Sequence, residues 1–389
     1  MKIIEVNDPK LVKEFLQVPV KLYKNDSYWI RPLDKDIEEV FDPKKNKMFR
    51  HGECARFILR NGKNEAVGRV AVFVNKRTAN KDNDQPTGGM GFFDCINDQE
   101  AANMLFDTCK AWLEERGMEA MDGPVNFGER DKWWGCLVQG FTEPNYCMPY
   151  NFPYYKELFE NYGFREYFQQ FTFGRKVQGH LDERIFAKAN RIYNNPDYEF
   201  RHINLKEIEK YAEDFRAVYN KAWVKHAGVG EMPKAQAMNI MRQMKPVIDE
   251  EIIWFGYYKG EPIAFWIQLP ELNQLFKHLN GQFNWWAKLK FLYYQKFVGA
   301  NKLFGVAFGI TPAHQGKGVE AALIVAYQRE FANVENYRYK DVELNWIGDF
   351  NPKMIRICEQ IGAEVKKTHV TFRKLFDETK EFKRMKVIK

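Results

Sequence analysis

The order of predicted elements repeats once along the chain, and this repetition limits the possible folds more than any other feature. In the first half, KIIEV (2–6) reads as a strand and residues 8–24 as an amphipathic helix, with Asp8 as N-cap and Pro9 at the first helical position. ECARFILR (53–60) and EAVGRVAVFVN (65–75) read as strands joined by the turn Asn61-Gly62. A strand (90–95), a helix (98–116) ended by Gly117, a strand (119–127), a short helix (153–164) and a strand (165–176) follow. The second half runs in the same order. Strand 198–203 precedes helices 205–224 and 233–245, then a hairpin of 250–258 and 261–270 turns at Lys259-Gly260. Strand 302–310, helix 315–333, strand 341–347, helix 351–361 and strand 364–374 complete it. The pattern is α+β, with a mixed, mostly antiparallel sheet flanked by helices in each half. It divides the chain into units 1–180 and 181–389, which suits a length of 389 residues.

One segment has no counterpart in the first half. Residues 274–299, QLFKHLNGQFNWWAKLKFLYYQKFVG, mix aromatic and aliphatic side chains with Lys277, Lys288, Lys290 and Lys296, and contain no acid. A basic, aromatic, amphipathic stretch of this kind can lie in a lipid interface or wall an acyl pocket. It can equally be a helix packed on the domain core with its lysines in water.

The formal net charge of +7 fits an anionic ligand, an anionic membrane surface or RNA, and solubility alone also accounts for it. No dense Lys/Arg cluster with interleaved aromatics appears, which argues against DNA and RNA. The six cysteines form no C-x-x-C pair and no His cluster has zinc spacing, so no metal site is expected. Scattered cysteines read as reduced, buried thiols of a cytoplasmic protein. MKIIEVNDPK lacks the apolar core of a signal peptide, and no run of about 18 apolar residues offers a membrane span.

The sharpest chemical signal is GITPAHQGKGVEAAL (309–323). A strand ends, Pro312 breaks it, a Gly-rich turn follows and a helix begins. The amides of such a turn and the positive end of the helix form an anion site suited to a diphosphate. Gly316 and Gly318 let the main chain come close, and Lys317 adds charge. This stretch resembles the acetyl-CoA loop of the GNAT (GCN5-related N-acetyltransferase) superfamily, Gln/Arg-x-x-Gly-x-Gly/Ala. Gln315, Gly316, Lys317 and Gly318 match, while Glu320 stands where a small residue is usual. LNWIGDFNPKMIRICEQIGAEV (344–365) resembles the second GNAT motif, with Asn351 opening its helix. The whole chain is similar to bacterial tandem-GNAT proteins related to bacterial ceramide synthases. CINDQE (95–100), at the CoA-loop position of the first half, contains no glycine, so the resemblance implies a CoA-binding second domain and a degenerate first one.

The resemblance implies an acyl-CoA-dependent N-acyltransferase, with acyl-CoA as co-substrate, an amine acceptor (a lipid-derived amine such as a sphingoid base fits it) and peripheral membrane contact. Phe308, Gly309, Ile310, Gln315, Gly316, Lys317, Gly318, Val319 and Asn351 are the implied cofactor-binding residues. The family often places a Tyr seven residues after the motif Asn; Cys358 occupies that position, either as an acid for the departing thiolate or as a small buried hydrophobe. Glu343 and Asn345 share one face of their strand, and Glu343 can take the amine proton through water. His226 and Glu231 lie in the loop where GNAT proteins shape the acceptor site. Two alternatives stay open: an aminoacyl-tRNA-dependent transferase of the tandem-GNAT type, and a non-catalytic CoA-binding protein.

Overall fold

Alternation of apolar and polar residues puts one face of each predicted strand into a core, and a strand forms within each predicted stretch. The computed structural model describes residues 1–81, 83–223 and 231–387. The first half contributes β1 (Lys2–Glu5), β2 (Gly52–Arg60), β3 (Ala66–Asn75), β4 (Thr87–Cys95), β5 (Ala120–Gly123), β6 (Cys136–Gln139) and β7 (Arg165–Lys176). The second contributes β8 (Tyr198–His202), β9 (Ile253–Tyr258), β10 (Glu261–Pro270), β11 (Lys302–Ile310), β12 (Asp341–Gly348) and β13 (Glu364–Leu375). Helices α1 (Pro9–Leu22), α2 (Asp34–Phe41), α3 (Gln99–Glu114) and α4 (Tyr155–Asn161) belong to the first half. Helices α5 (Glu183–Tyr193), α6 (Ile208–Trp223), α7 (Lys234–Met244), α8 (Asn273–Phe276), α9 (Trp285–Phe297), α10 (Val319–Tyr327) and α11 (Pro352–Gln360) belong to the second. Asp8 caps α1 by accepting from the amides of Lys10 and Leu11, as its position before Pro9 implies.

Thirteen strands form one mixed sheet, ordered β1-β2-β3-β4-β5-β13-β7-β12-β11-β10-β9-β8, with β6 also paired to β13. The pairs β4/β5 and β11/β12 are parallel, and the other pairings are antiparallel. The centre of the sheet is an exchange. The closing strand of the first half, β7, pairs with β12 of the second, from Asp341↔Lys176 to Gly348↔Gln170. The closing strand of the second half, β13, pairs with β5 of the first, from Phe372↔Gly123 to Leu375↔Ala120, and with β7 along its length. The two cores are exchanged accordingly: Phe173 and Val177 enter the second-half core, while Val370 and Phe372 enter the first.

A central strand has both faces covered, and β13 is polar, so its polar groups must find partners. They do. Arg373 is bidentate to Asp122 on β5 (2.6 and 2.8 Å), Thr371 Oγ1 donates to Gln170 on β7 (2.9 Å), and Lys367 meets Glu343 on β12 (3.0 Å). Buried His369 donates through Nε2 to Pro149 O (3.1 Å), and burial pushes its pKa down to about 4, so it stays neutral.

Some local readings change. The connection after β2 is longer than the two-residue turn read at Asn61-Gly62. Asn61 Oδ1 accepts from the amides of Lys63 and Glu65, which widens it. Helix α2 and strand β6 form in stretches with no clear periodicity, and the insertion 274–299 folds as α8 and α9.

The exchange yields a direct expectation. Residues 1–180 and 181–389 made separately each lack the neighbour of a central strand. Neither should unfold cooperatively alone by thermal denaturation, whereas co-expressed halves should co-purify one to one. A fragment that melts cooperatively by itself would overturn this dependence.

Candidate active site

Strands β11 and β12 are paired only from Lys302↔Asp341 to Gly305↔Leu344. Beyond that point they diverge. The register of β10 against β11 slips between Ile267↔Ala307 and Gln268↔Gly305, which leaves Val306 as the extra residue of a bulge. A bulge bends its strand and ends pairing locally, so the cleft opens where Val306 and Asn345 begin the divergent arms. Phe308, Gly309 and Ile310 lie on the arm of β11 that leads to the Gly-rich turn.

Pro312 ends β11, Gln315 Nε2 holds the turn to the strand end by donating to Ile310 O (2.9 Å), and α10 begins at buried Val319. Gly316 (φ 71°) and Gly318 (φ 100°) are both left-handed, the region that favours glycine. A Cβ on Gly318 would lie 3.2 Å from Lys188 O of α5, a tight contact that adds to the strain a side chain would meet at this φ. Gly318 is the N-cap and provides no side-chain cap, so the first-turn amides of α10 remain available to an anion. Lys317 is exposed, and Lys188 Nζ reaches Gln360 on α11 (3.2 Å). Glu320 makes no hydrogen bond or ion pair with the described residues, so its carboxylate does not bond to the turn.

At the closed end of the cleft lies a buried charged cluster that crosses the two halves. Glu343 on β12 accepts from Lys367 Nζ on β13 (3.0 Å) and Asn145 Nδ2 of the first half (2.7 Å), and faces Lys302 Nζ on β11 (3.4 Å). Burial by itself would raise its pKa; Lys367, then Lys302 and the hydrogen bonds, outweigh this and hold it below the ordinary carboxylate value. Glu343 is therefore an ionised anchor and a weak base. Its carboxylate fixes the orientation of Asn145, whose Nδ2 also reaches Asn345 Oδ1 (3.3 Å). That leaves Asn345 Nδ2 and Asn145 Oδ1 buried without partners among the described residues.

Glu271 completes the cluster. It follows β10, is 1% exposed, and accepts through Oε1 from the amides of Tyr146 (2.8 Å) and Asn273 (2.9 Å). Its Oε2 is buried with no partner. Burial pushes its pKa up to about 7, against the pull of Lys302 and the two amides. The segment bearing Asn145 is tied down by Asn273 Nδ2 to Pro144 O (2.8 Å), Tyr146 Oη to Asp36 (2.6 Å) and Trp346 Nε1 to Arg130 O (2.6 Å).

The structure thus brings Glu343 and Asn345 together, and links Phe308, Gly309 and Ile310 to the turn Gln315–Val319. Asn351 caps α11 through the Met354 amide (3.3 Å). Cys358 is fully buried in the second-half core, and burial pushes its thiol up to about 12, so it packs as a small hydrophobe and is a poor proton donor. Glu231 is exposed ahead of α7 and bonds to none of the cluster residues. His226 lies outside the described residues. Sequence reasoning missed Glu271, Asn145, Lys302 and Lys367. Glu271 carried one signal: it is the single acid between Glu261 and Glu320.

The first half repeats the geometry without the opening. Strands β4 and β5 pair from Thr87↔Ala120 to Gly89↔Asp122 and then part. The Val125 amide donates to Met90 O (2.7 Å), the Cys95 amide to Tyr155 Oη (2.9 Å), and Tyr154 Oη donates to Cys95 O (2.7 Å). The chain's own groups thus close the edge of β4 here, whereas the matching edge of β11 has no strand pairing with β12 beyond Gly305.

A mixed sheet with two such parallel, splayed strand pairs defines the tandem GNAT fold, and the solved structures agree. A tandem GNAT protein from the clavulanic acid biosynthesis pathway superposes with TM-score 0.52 at 10% identity, over 96% of this chain and 98% of that one. The glucosamine N-acetyltransferase region of a fungal multi-domain β-N-acetylglucosaminidase gives TM-score 0.52 at 11% identity, over 96% of this chain and 38% of that one. No family model matches the sequence. Among individual proteins, the chain is similar to the bacterial ceramide synthase of Caulobacter vibrioides, 25% identical over 96% of this chain and 97% of that protein. It is similar also to Protein YghO of Escherichia coli, 24% identical over 93% and 92%.

The raised carboxyl has a measurable consequence. Folded Glu271 keeps its proton up to about 7, while the unfolded chain releases it near the ordinary 4.5, so the folded state is increasingly penalised as pH rises through that window. Glu271→Gln removes the penalty. Relative to wild type, its stability in chemical denaturation should rise between pH 5 and 8 by up to about 3 kcal/mol. A difference independent of pH would contradict the placement of this carboxyl.

Proposed function

We propose that this chain is an acyl-CoA-dependent N-acyltransferase whose acceptor is a lipid-derived amine of the sphingoid type, working in the cytoplasm at a membrane face. One observation carries the reading. β11 parts from β12 at Val306 and leads directly into an uncapped helix start with two left-handed glycines. That geometry suits a diphosphate at Gln315–Val319 and an extended thioester arm along Phe308–Ile310, whose edge towards β12 carries no strand pairing. The lipid acceptor draws its support from the likeness to a protein named for ceramide synthesis. Among the described residues no helix is long and apolar enough to cross a membrane, and no group of residues suits a metal ion.

The thioester supplies an activated acyl group, and the chain's own residues do the rest. The first-turn amides of α10, with Lys317 and Lys188 nearby, hold the diphosphate. Asn345 Nδ2, the unpartnered donor beside the closed end of the cleft, donates to the carbonyl oxygen as charge develops there. Glu343 stays ionised and keeps Asn145 and Asn345 oriented. Glu271, with a pKa near neutrality, takes the proton that the amine loses on forming the new C–N bond. The C–S bond breaks with its electron pair going to sulfur, which takes a proton from solvent. Glu271 later releases the amine's proton to solvent, so that one proton moves in all from nitrogen to sulfur. The first half serves as a wall, since Tyr154 and Tyr155 already bond to the main chain of its own cleft.

Three variants separate these roles. Gly318→Val should abolish CoA binding in calorimetry and also lower the melting temperature, because a φ of 100° strains a branched residue, with circular dichroism checking that the variant still folds. Asn345→Ala should leave CoA affinity intact and lower kcat about 10²–10³-fold. Glu271→Gln should remove a pH dependence of kcat/KM centred near 7. Absence of any calorimetric response of the wild type to CoA or long-chain acyl-CoA would sink the assignment.

A further inference from the structure

The insertion between β10 and β11 carries a surface that the proposed chemistry does not use. Asn284 caps α9 through the Ala287 amide (3.0 Å), and the helix is fixed by a narrow face: Ala287, Phe291 and part-buried Tyr294 pack against Leu33, Leu272, Leu275, Phe276 and Leu279. Tyr294 stacks on His278 with ring centroids 3.9 Å apart. The rest of the helix faces outward and is mostly apolar. Trp285, Trp286 and Phe297 are 63%, 69% and 67% exposed, and Leu289, Leu292 and Tyr293 are exposed beside them. Apart from these, Tyr28 is the one exposed aromatic among the described residues, so the apolar surface is concentrated on this helix.

The order around the helix is telling. At about 100° per residue, Leu292, Trp285, Leu289, Tyr293, Trp286 and Phe297 fall within an arc of roughly 140°, opposite the packed Phe291. Lys288 and Lys290 border that arc on its two sides, and Lys296 lies within it. None of the three forms an ion pair with the described residues. No acid occurs between Glu271 and Glu320. Exposed Trp, Tyr and Phe with lysines and no acids suit the boundary between acyl chains and anionic headgroups. At 13 residues the helix is too short to span a bilayer, so it would lie in the interface plane.

We infer that α9 is an interfacial membrane-docking helix that inserts its Trp285/Trp286/Phe297 face into an anionic lipid surface. This gives a structural element to the membrane face invoked above and deepens the reading of a lipid acceptor, although the docking surface stands on α9 alone. Helix α9 belongs to the same connection as Glu271 and Asn273, so docking brings the closed end of the cleft towards lipid.

The test uses the full-length protein in sedimentation with phosphatidylcholine vesicles, with and without phosphatidylglycerol. Binding is expected to require the anionic lipid, to weaken with salt, and to shift tryptophan fluorescence to the blue. The triple variant Trp285→Ser, Trp286→Ser, Phe297→Ser should lose at least about tenfold in partitioning with an unchanged melting temperature, since the three side chains are solvent-facing. Wild-type protein that stays in the supernatant, or a triple variant that still binds, overturns the proposal. A concentration-dependent dimer in analytical ultracentrifugation that the variant dissolves also overturns it, by assigning the face to a second copy. Calorimetry with CoA on the same variant keeps the two readings apart. Lost vesicle binding with intact CoA binding concerns the helix alone, and vesicle binding without any CoA response leaves docking standing while the transferase fails.

Discussion

The pairing of β13 with β7 is the contact on which the rest of the molecule depends. It runs from Glu364↔Gly174 to Arg373↔Arg165, and each of the two strands is the last of its own half and the neighbour of the other half's sheet. Without it there would be two open sheets, one ending in β13 and the other in β7. It also delivers chemistry. Lys367 reaches Glu343 because β7 separates β13 from β12 by one strand, and Glu343 in turn orients Asn145, a residue of the first half. The candidate site is thus assembled from both halves, although the Gly-rich turn Gln315–Val319 lies wholly in the second.

A buried ion pair is weak evidence for stability, since desolvation offsets most of its attraction. Its clearer effect here is orientational. Ionised Glu343 fixes one amide, that amide fixes a second, and the second is left with a donor directed by the first. Neighbouring Glu271 faces a different environment: two main-chain amides and no direct ammonium contact, so burial dominates and its proton exchanges near neutrality. Two carboxyls close to each other are separated in role by the number of cations that touch them.

Much of the fold was legible because it rests on local signals. The Asp8-Pro9 helix start, the two long hairpins, and the Pro312 break followed by Gly316 and Gly318 are written in short windows, and the structure carries each of them. The exchange was not legible. A strand's alternation specifies which face is buried but says nothing of which strand stands beside it, and EVKKTHVTFRK is too polar to advertise a central position. Its partners Asp122, Gln170 and Glu343 are distant in sequence. Glu343 and Asn345 were found because two-residue spacing puts them on one face, whereas Asn145 and Glu271 sit in irregular connections where no period exists to flag them. Cys358 shows the converse limit: its place after Asn351 pointed to chemistry, but only packing decides that α11 turns it into the core.

The exchanged strands also dictate an order of events at the ribosome. The first half is synthesised by residue 176, but β5, β6 and β7 all pair with β13, which begins at Glu364. Until then the edge of β5 has no native partner, and an unpaired edge invites pairing with the wrong chain. Neither half can complete its native sheet until β13 has emerged, so the edges of β5 and β7 stay open while the strands of the second half are made.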